Sequence, residues 1–160
     1  GAVFAHATAF NLIAKAMIGD GEGLYRLYKK SLPCGRNHDV YAVEPYVYSQ
    51  FAAGPASTRA EEGAHHWLTG TAAWMFRAIV DYMLGVQPTD DGLRVVPCLP
   101  KGFLEYTVVR RFRHVSYTIH VFNPDDKNTG DVSLTVNGMP IDGDTIPIMP
   151  LDSRVDVRMV

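Results

Sequence analysis

The hydrophobic pattern of this sequence changes its period once, near residues 86–92, and that change restricts the folds open to the chain. In residues 66–84 the apolar positions recur every three or four residues, which is the period of a buried helix. In residues 115–121 and 132–136 apolar and polar residues alternate, which is the period of a strand with one buried face. The sequence therefore predicts an α+β chain, with a helical part over residues 1–86 and an antiparallel β-sandwich domain over residues 87–160.

The helical part is predicted to contain three main helices. Residues 4–32 favour two helices joined by a tight turn at Gly19-Asp20-Gly21, and residues 66–84 favour a third helix that ends at Gly85. Residues 33–64 are rich in Gly, Pro, Ser and Asn and are interrupted by the apolar run 41–51, so we expect a long structured loop with a short helix inside it. The wide apolar face of the third helix predicts burial, with Trp67 and Trp74 in the core.

Turn dipeptides separate the predicted strands of the second half. Asn-Pro, Asn-Gly and Asp-Gly all occur between runs of alternating hydrophobicity, and residues 155–159 form a last run of this kind. The pattern indicates antiparallel pairing throughout this half of the chain.

Composition excludes several classes of protein. The 160 residues are 47% hydrophobic and 20% charged, which is typical of a folded globular chain. A net charge of -2 gives no attraction to nucleic acid, and no apolar run reaches the roughly 18 residues that a transmembrane helix needs. The N-terminal residues lack the basic flank of a signal peptide, and Cys34 and Cys98 are expected to be unpaired thiols, so we expect a cytoplasmic protein.

Two groups of polar residues could form functional sites, but their spacing favours simpler roles. The adjacent His65 and His66 point about 100° apart on a helix and have no third ligand at a suitable spacing, so no metal is expected. The short basic cluster Arg110, Arg111 and Arg113 is expected to form a solvated or interdomain face rather than an anion site.

Several motifs, in this order and spacing, resemble one enzyme family. They are "FAHATAFN", "VEPYVYSQFAAGP", "HHWLTGTAAWMFRAIVDYMLGVQPTDDGLRVVPCLP" and "YTVVRRFRHVSYTIHVFNP", and together they cover most of residues 2–124. The sequence resembles the inverting glycoside phosphorylases of glycoside hydrolase family 94, the cellobiose phosphorylase group. The resemblance implies the last helices of an (α/α)6 catalytic barrel, followed by the C-terminal β domain of a much longer enzyme.

The resemblance also implies a reaction, that of a glycosyltransferase-type enzyme. Inorganic phosphate would cleave a β-glucoside such as cellobiose, cellobionic acid or a related oligosaccharide with inversion, giving α-glucose 1-phosphate. The general acid of the family is an aspartate in a segment upstream of the residues that match here, so the resemblance assigns no catalytic residue to this chain and implies that the chain alone is inactive. It implies no cofactor, because phosphate is a substrate, and it implies a homodimer.

Four residues match binding positions of that family. His6, Thr69 and Gly70 match its phosphate-binding residues, and Gln50 matches a residue that contacts the glucose that is attacked. The chemistry is suitable, because a hydroxyl and a backbone amide without a nearby Cβ at a helix start favour an anion. Simpler roles stay open: a hydrogen-bonded core histidine for His6, helix capping for Thr69 with Gly70 as a packing residue, and loop stabilisation for Gln50. Conversely, Trp67 and Trp74 could stack on sugar rings, although tryptophans on helices are more often part of the core.

Two other functions fit parts of the sequence. One is the phosphorylase-like domain of a cyclic β-glucan synthase, and the other is a non-catalytic carbohydrate-binding β-sandwich with a helical segment before it. The second is disfavoured because the most distinctive motifs lie in the helical half.

Overall fold

The computed structural model describes all residues 1–160, and its helices lie mainly in the first half of the chain. The helical elements are α1 (Ala5–Met17), α2 (Gly21–Ser31), a 3-10 turn (Pro33–Gly35), α3 (His38–Tyr41), α4 (Thr71–Arg77) and a π-helical segment (Ala78–Met83). The strands are β1 (Ala2–Phe4), β2 (Phe51–Ala53), β3 (Gly63–Ala64), β4 (Val86–Pro88), β5 (Gly92–Val95), β6 (Glu105–Phe112), β7 (Val115–Phe122), β8 (Val132–Val136), β9 (Met139–Ile141), β10 (Thr145–Pro147) and β11 (Ser153–Met159).

The first two helices confirm the prediction from residues 4–32. Helix α1 ends before Gly19, which has a φ of 77°, and Asp20 caps α2 by accepting a hydrogen bond from the amide of Gly23 at 2.7 Å. Both helices pack against α4 and the π-helical segment in one core. Its buried side chains are Ala9 and Leu12 of α1, Leu24 of α2, Met75 of α4, and Ala78 and Met83 of the π-helical segment.

The third helix begins at residue 71 rather than at residue 66, so its predicted start is wrong. His65 and Trp67 have positive φ values of 55° and 64°, which interrupt a helical path. Trp67 consequently lies outside the helix and is 68% exposed, and its predicted place in the core is wrong as well. Trp74 is half-buried against the helical core, and the end of the helix at Gly85, with a φ of 74°, is confirmed.

Residues 33–64, which the sequence predicts to be a long loop, contain more extended structure than their composition indicates. Strand β2 pairs antiparallel with β1 on one side and with β3 on the other. The short helix expected inside this loop is α3, which ends at the first residue of the apolar run, and Tyr41, Val43, Val47 and Ala52 form a small core. Because β1 precedes α1 directly, this small sheet fixes where α1 begins.

The second half folds into a three-stranded sheet, in the order β10-β5-β4, and a five-stranded sheet, in the order β6-β7-β11-β8-β9. Every pair is antiparallel except β7 with β11, which is parallel, so the prediction of an entirely antiparallel half is wrong at this pair. The physical reason is that side chains alternate with a period of two in both kinds of strand pair, and the pattern carries no strand direction.

The cores of the two halves meet at Phe103. This half-buried side chain packs against the large core of the β half and also against the helical core. The boundary between residues 86 and 87 stays a prediction. No helix in the chain is both long and apolar enough to cross a bilayer.

Candidate functional site

His6 lies in the first turn of α1, at the end of the small sheet. The amide of Ala5 donates to the carbonyl oxygen of Gln50 at 2.8 Å, and Phe4 pairs with Phe51 in the β1–β2 register. Gln50 also donates its own amide to the carbonyl of Ala64 at 3.0 Å. The sheet therefore holds Gln50 beside the start of the helix that carries His6.

Thr69 comes from a segment more than sixty residues away in sequence and meets His6 directly. Its Oγ1 lies 3.2 Å from Nε2 of His6, within hydrogen-bond distance. The same oxygen lies 2.8 Å from Oγ1 of Thr71 and accepts a hydrogen bond from the Thr71 amide at 3.2 Å. The structure therefore brings together two of the predicted phosphate-binding residues and adds the buried hydroxyl of Thr71, which the sequence analysis did not single out.

Gly70 lies at the N-cap of α4, against the imidazole of His6. A Cβ built at this position would lie 3.4 Å from Nε2 and 3.7 Å from Cε1 of His6, so the glycine backbone lies directly beside the imidazole. The residue is exposed, and no side chain caps the helix through it. An anion bound here would meet the imidazole and the Thr69 hydroxyl, next to backbone without a side chain.

Aromatic rings support the imidazole from two sides. The His6 ring lies 5.0 Å from Phe4 and 6.5 Å from Phe10, centroid to centroid. Phe10 in turn makes an edge-to-face contact with Trp74 at 4.8 Å. These contacts restrict the rotation of His6 and couple its position to α4.

The capping interpretation of Thr69 and the binding interpretation are compatible in this geometry. Its oxygen accepts from the amide of Thr71, the first residue of α4, in a local turn from one residue before the N-cap Gly70. The hydroxyl also lies within hydrogen-bond distance of His6 Nε2 and Thr71 Oγ1, at the half-buried edge of the site.

The remaining polar groups of the sequence analysis have other surroundings. No group of three or more His, Cys, Asp or Glu side chains is arranged to hold a metal ion. Arg110 contacts the helical half through Asp81, whereas Arg111 is exposed and Arg113 donates to the carbonyl of Asp90 at 3.0 Å. Arg110 therefore lies at a contact between the two halves, as expected for an interdomain face.

Both cysteines are free thiols, as predicted. Cys34 is exposed, whereas burial raises the pKa of Cys98 to about 11. Cys98 is therefore protonated and unreactive at neutral pH, and neither cysteine lies among the four predicted binding residues.

Comparisons with known proteins show that the chain belongs to one family. Residues 1–85 match the model of the glycosyl hydrolase 94 superfamily catalytic domain. The chain is 37% identical to a solabiose phosphorylase of Paenibacillus borealis over 99% of the chain and 21% of that protein. It is 37% identical to an N,N'-diacetylchitobiose phosphorylase of Vibrio proteolyticus over 89% of the chain and 18% of that protein.

A third relative is a 3-O-beta-D-glucopyranosyl-beta-D-glucuronide phosphorylase of Paenibacillus borealis, 35% identical over 86% of the chain and 18% of that protein. The chain thus spans about a fifth of the length of the curated relatives that it matches. All four predicted binding residues lie in the part that matches the family model.

Proposed function

Because this chain belongs to the glycosyl hydrolase 94 superfamily, we propose that it forms part of a carbohydrate phosphorylase that cleaves a β-glycoside with inorganic phosphate. The observation that carries the proposal is the 3.2 Å approach of His6 Nε2 to Thr69 Oγ1, beside Gly70 at the N-cap of α4. The names of three similar proteins, all disaccharide or glycoside phosphorylases, support it.

In this proposal His6, Thr69 and Gly70 hold the attacking phosphate. Each hydrogen bond to the phosphate is charge-assisted, and such bonds contribute about 1.5–3 kcal/mol when the partners are shielded from water. The imidazole and the hydroxyl reach the anion without adding negative charge.

The phosphate acts as nucleophile at the anomeric carbon of the sugar. A phosphate oxygen forms the new bond to that carbon, the glycosidic C–O bond breaks, and the departing oxygen takes a proton from one carboxylic acid. The configuration inverts, and α-glucose 1-phosphate is released when the sugar is glucose. Phosphate is already an anion, so no second carboxylate is needed as a base, and one nearby would repel it.

Gln50 contacts the sugar that is attacked. Its backbone lies next to Ala5, one residue before His6, so a sugar touching its side chain would lie beside the phosphate held by His6. We propose glucose as this sugar and a β-linked disaccharide or short oligosaccharide, such as cellobiose or cellobionic acid, as the substrate.

The proposal also covers the segments of the enzyme outside this chain, its need for a cofactor, its oligomeric state and its location. The helices of residues 1–86 would complete an (α/α)6 barrel with segments that supply the general acid, and the chain alone would not catalyse the reaction. The protein would act without a cofactor, as a homodimer in the cytoplasm; the two free thiols are consistent with a reducing compartment.

The test uses the full-length protein with a panel of β-linked glucosyl disaccharides. We expect glucose 1-phosphate to form only when inorganic phosphate is present, with the α anomer as the first product by NMR. Equal release of free sugar in phosphate-free buffer would identify a hydrolase and refute the proposal.

A further inference from the structure

Two large aromatic side chains lie exposed beside Thr69. Tyr46 is 73% exposed and Trp67 is 68% exposed, and their rings meet edge to face with centroids 6.4 Å apart. A pair of this size on a surface leaves apolar area in contact with water, which is unfavourable unless something covers it.

Trp67 is held in place although it is exposed. Its backbone has a φ of 64°, an uncommon conformation for a bulky residue, and its indole N–H donates to Oε1 of Glu44 at 2.9 Å. This hydrogen bond keeps the pKa of Glu44 below its usual value, so the carboxylate is ionised at neutral pH and the bond persists. The ring is therefore presented to solvent in one orientation.

A cavity joins the aromatic pair to the predicted phosphate site. It has a volume of about 210 Å³, and its lining is apolar or aromatic except for Thr69, with Tyr46, Val47, Tyr48, Trp67 and Ala72 as the other residues. One water molecule occupies about 30 Å³ of liquid, so the cavity is several times larger than a single water requires. Through Thr69 it adjoins His6.

The polar groups near Trp67 suit hydroxyl partners. Glu44 uses Oε1 for the indole, which leaves the second carboxylate oxygen as an acceptor. His66, next to Trp67 in the chain, has a buried Nδ1 without a hydrogen-bond partner. This atom is inaccessible and does not line the cavity, so Glu44 is the group that can accept from a sugar hydroxyl here.

We propose that Tyr46 and Trp67 form a binding surface for the apolar face of one pyranose ring of the sugar substrate, adjacent to the phosphate at Thr69. A pyranose presents C–H groups on its faces and hydroxyls around its rim, so aromatic faces with a carboxylate at the edge match it. The inference rests on the proposed phosphorolysis for its substrate, and it adds a sugar contact that is distinct from Gln50.

The test compares Trp67→Ala with wild type in the full-length protein. We expect the KM for the disaccharide to rise at least tenfold and the KM for phosphate to stay within twofold. Calorimetric titration with the disaccharide in the absence of phosphate should show a matching loss of affinity. Trp67→Phe, which keeps an aromatic ring but not the indole N–H, should lose less, and Phe122→Ala, at an exposed aromatic on β7, is the matched control.

The outcomes separate this inference from the proposed function. Suppose that the KM for the disaccharide is unchanged in Trp67→Ala while turnover still depends on phosphate. That result would refute the sugar-binding surface but not the proposed phosphorylase function. If wild type releases no sugar phosphate, the proposed phosphorylase function fails, but the calorimetric titration still tests the sugar-binding surface. Equal affinity of wild type and Trp67→Ala for the disaccharide would refute that surface. If Trp67→Ala does not fold, Tyr46→Ala takes its place, and an unchanged sugar KM there overturns the proposal equally.

Discussion

Arg110 on β6 donates a hydrogen bond from Nη1 to Oδ1 of Asp81 at 2.7 Å, and this bond joins the five-stranded sheet to the π-helical segment. Asp81 is buried and also accepts from Nε of Arg77 at 3.1 Å, while Arg110 donates to the carbonyl of Val86 at 2.7 Å. Arg77 in turn lies over the ring of Trp74 at 5.7 Å. The β half thus braces the helix whose first residues face His6.

Replacing Arg110 with alanine should destabilise the protein strongly. The change leaves Asp81 buried with only the exposed Arg77 as partner; a buried charge left with no partner typically costs about 3–5 kcal/mol, and the retained Arg77 bond should hold the loss at or below the lower end of that range. Urea unfolding measures the loss. Arg111→Ala removes an exposed arginine from the same strand and should change the stability by less than about 0.5 kcal/mol. Equal stabilities of the two variants would show that the Arg110–Asp81 pair contributes nothing.

Replacing His6 with alanine should weaken phosphate binding in the full-length protein. Loss of one charge-assisted hydrogen bond of about 1.5–3 kcal/mol corresponds to roughly a 10- to 150-fold rise in the KM for phosphate. Steady-state kinetics with the sugar at saturation checks this. A KM for phosphate equal to that of wild type would leave His6 with a packing role among Phe4 and Phe10.

Replacing Gly85 with alanine should be far more costly than the same change at Gly138. Both glycines have left-handed φ values, 74° and 82°, which cost an alanine about 1–2 kcal/mol. A Cβ at Gly85 would also lie 2.3 Å from backbone atoms of Val96 and Pro97, whereas a Cβ at Gly138 meets nothing within 4 Å. Comparing the thermal unfolding of the two variants isolates the cost of the steric clash at Gly85, because both variants carry the same backbone strain. Equal stabilities of Gly85→Ala and Gly138→Ala would contradict the close contact.

The Asp20 carboxylate should stabilise the fold at neutral pH and lose this effect in acid. The Lys15 ammonium donates to it at 2.6 Å and, with the Gly23 amide, holds the pKa of Asp20 below its usual 3.8. A lowered folded-state pKa means that the contribution is complete above the unfolded-state pKa and disappears as the pH falls through the folded-state pKa. Wild type should therefore exceed Asp20→Asn in stability at pH 7, and the difference should shrink below about pH 4. A difference that is the same at pH 7 and pH 2 would exclude this charge effect.

Some parts of the fold were predictable because their signals are local. The two helices before residue 32, the end of the third helix at Gly85 and the alternating strand β7 all follow from hydrophobic period or from a glycine in a required conformation. The turn between β6 and β7 was not predictable in this way. Arg113 and His114 adopt φ values of 47° and 71° there without any glycine or asparagine, because the pairing of the two strands imposes the turn.

The predicted binding residues came from motifs, whose order in the chain identified His6, Gln50, Thr69 and Gly70 as candidates. Motifs carry no distances, so the 3.2 Å approach of His6 to Thr69, the participation of Thr71 and the exposure of Trp67 required the structure. Trp67 was misplaced because its apolar spacing is that of a helix, whereas the hydrogen bond to Glu44 and the positive φ values keep it outside one.

The sequence by itself determined the kinds of element and the family, since both depend on residue types at fixed local spacing. Tertiary structure alone decided which elements meet: β11 inserted parallel to β7, Arg110 reaching Asp81, and residues 6 and 69 brought to one point. The physical reason is that hydrophobic periodicity specifies which face of an element is buried, whereas the partner on that face is chosen by packing over the whole chain.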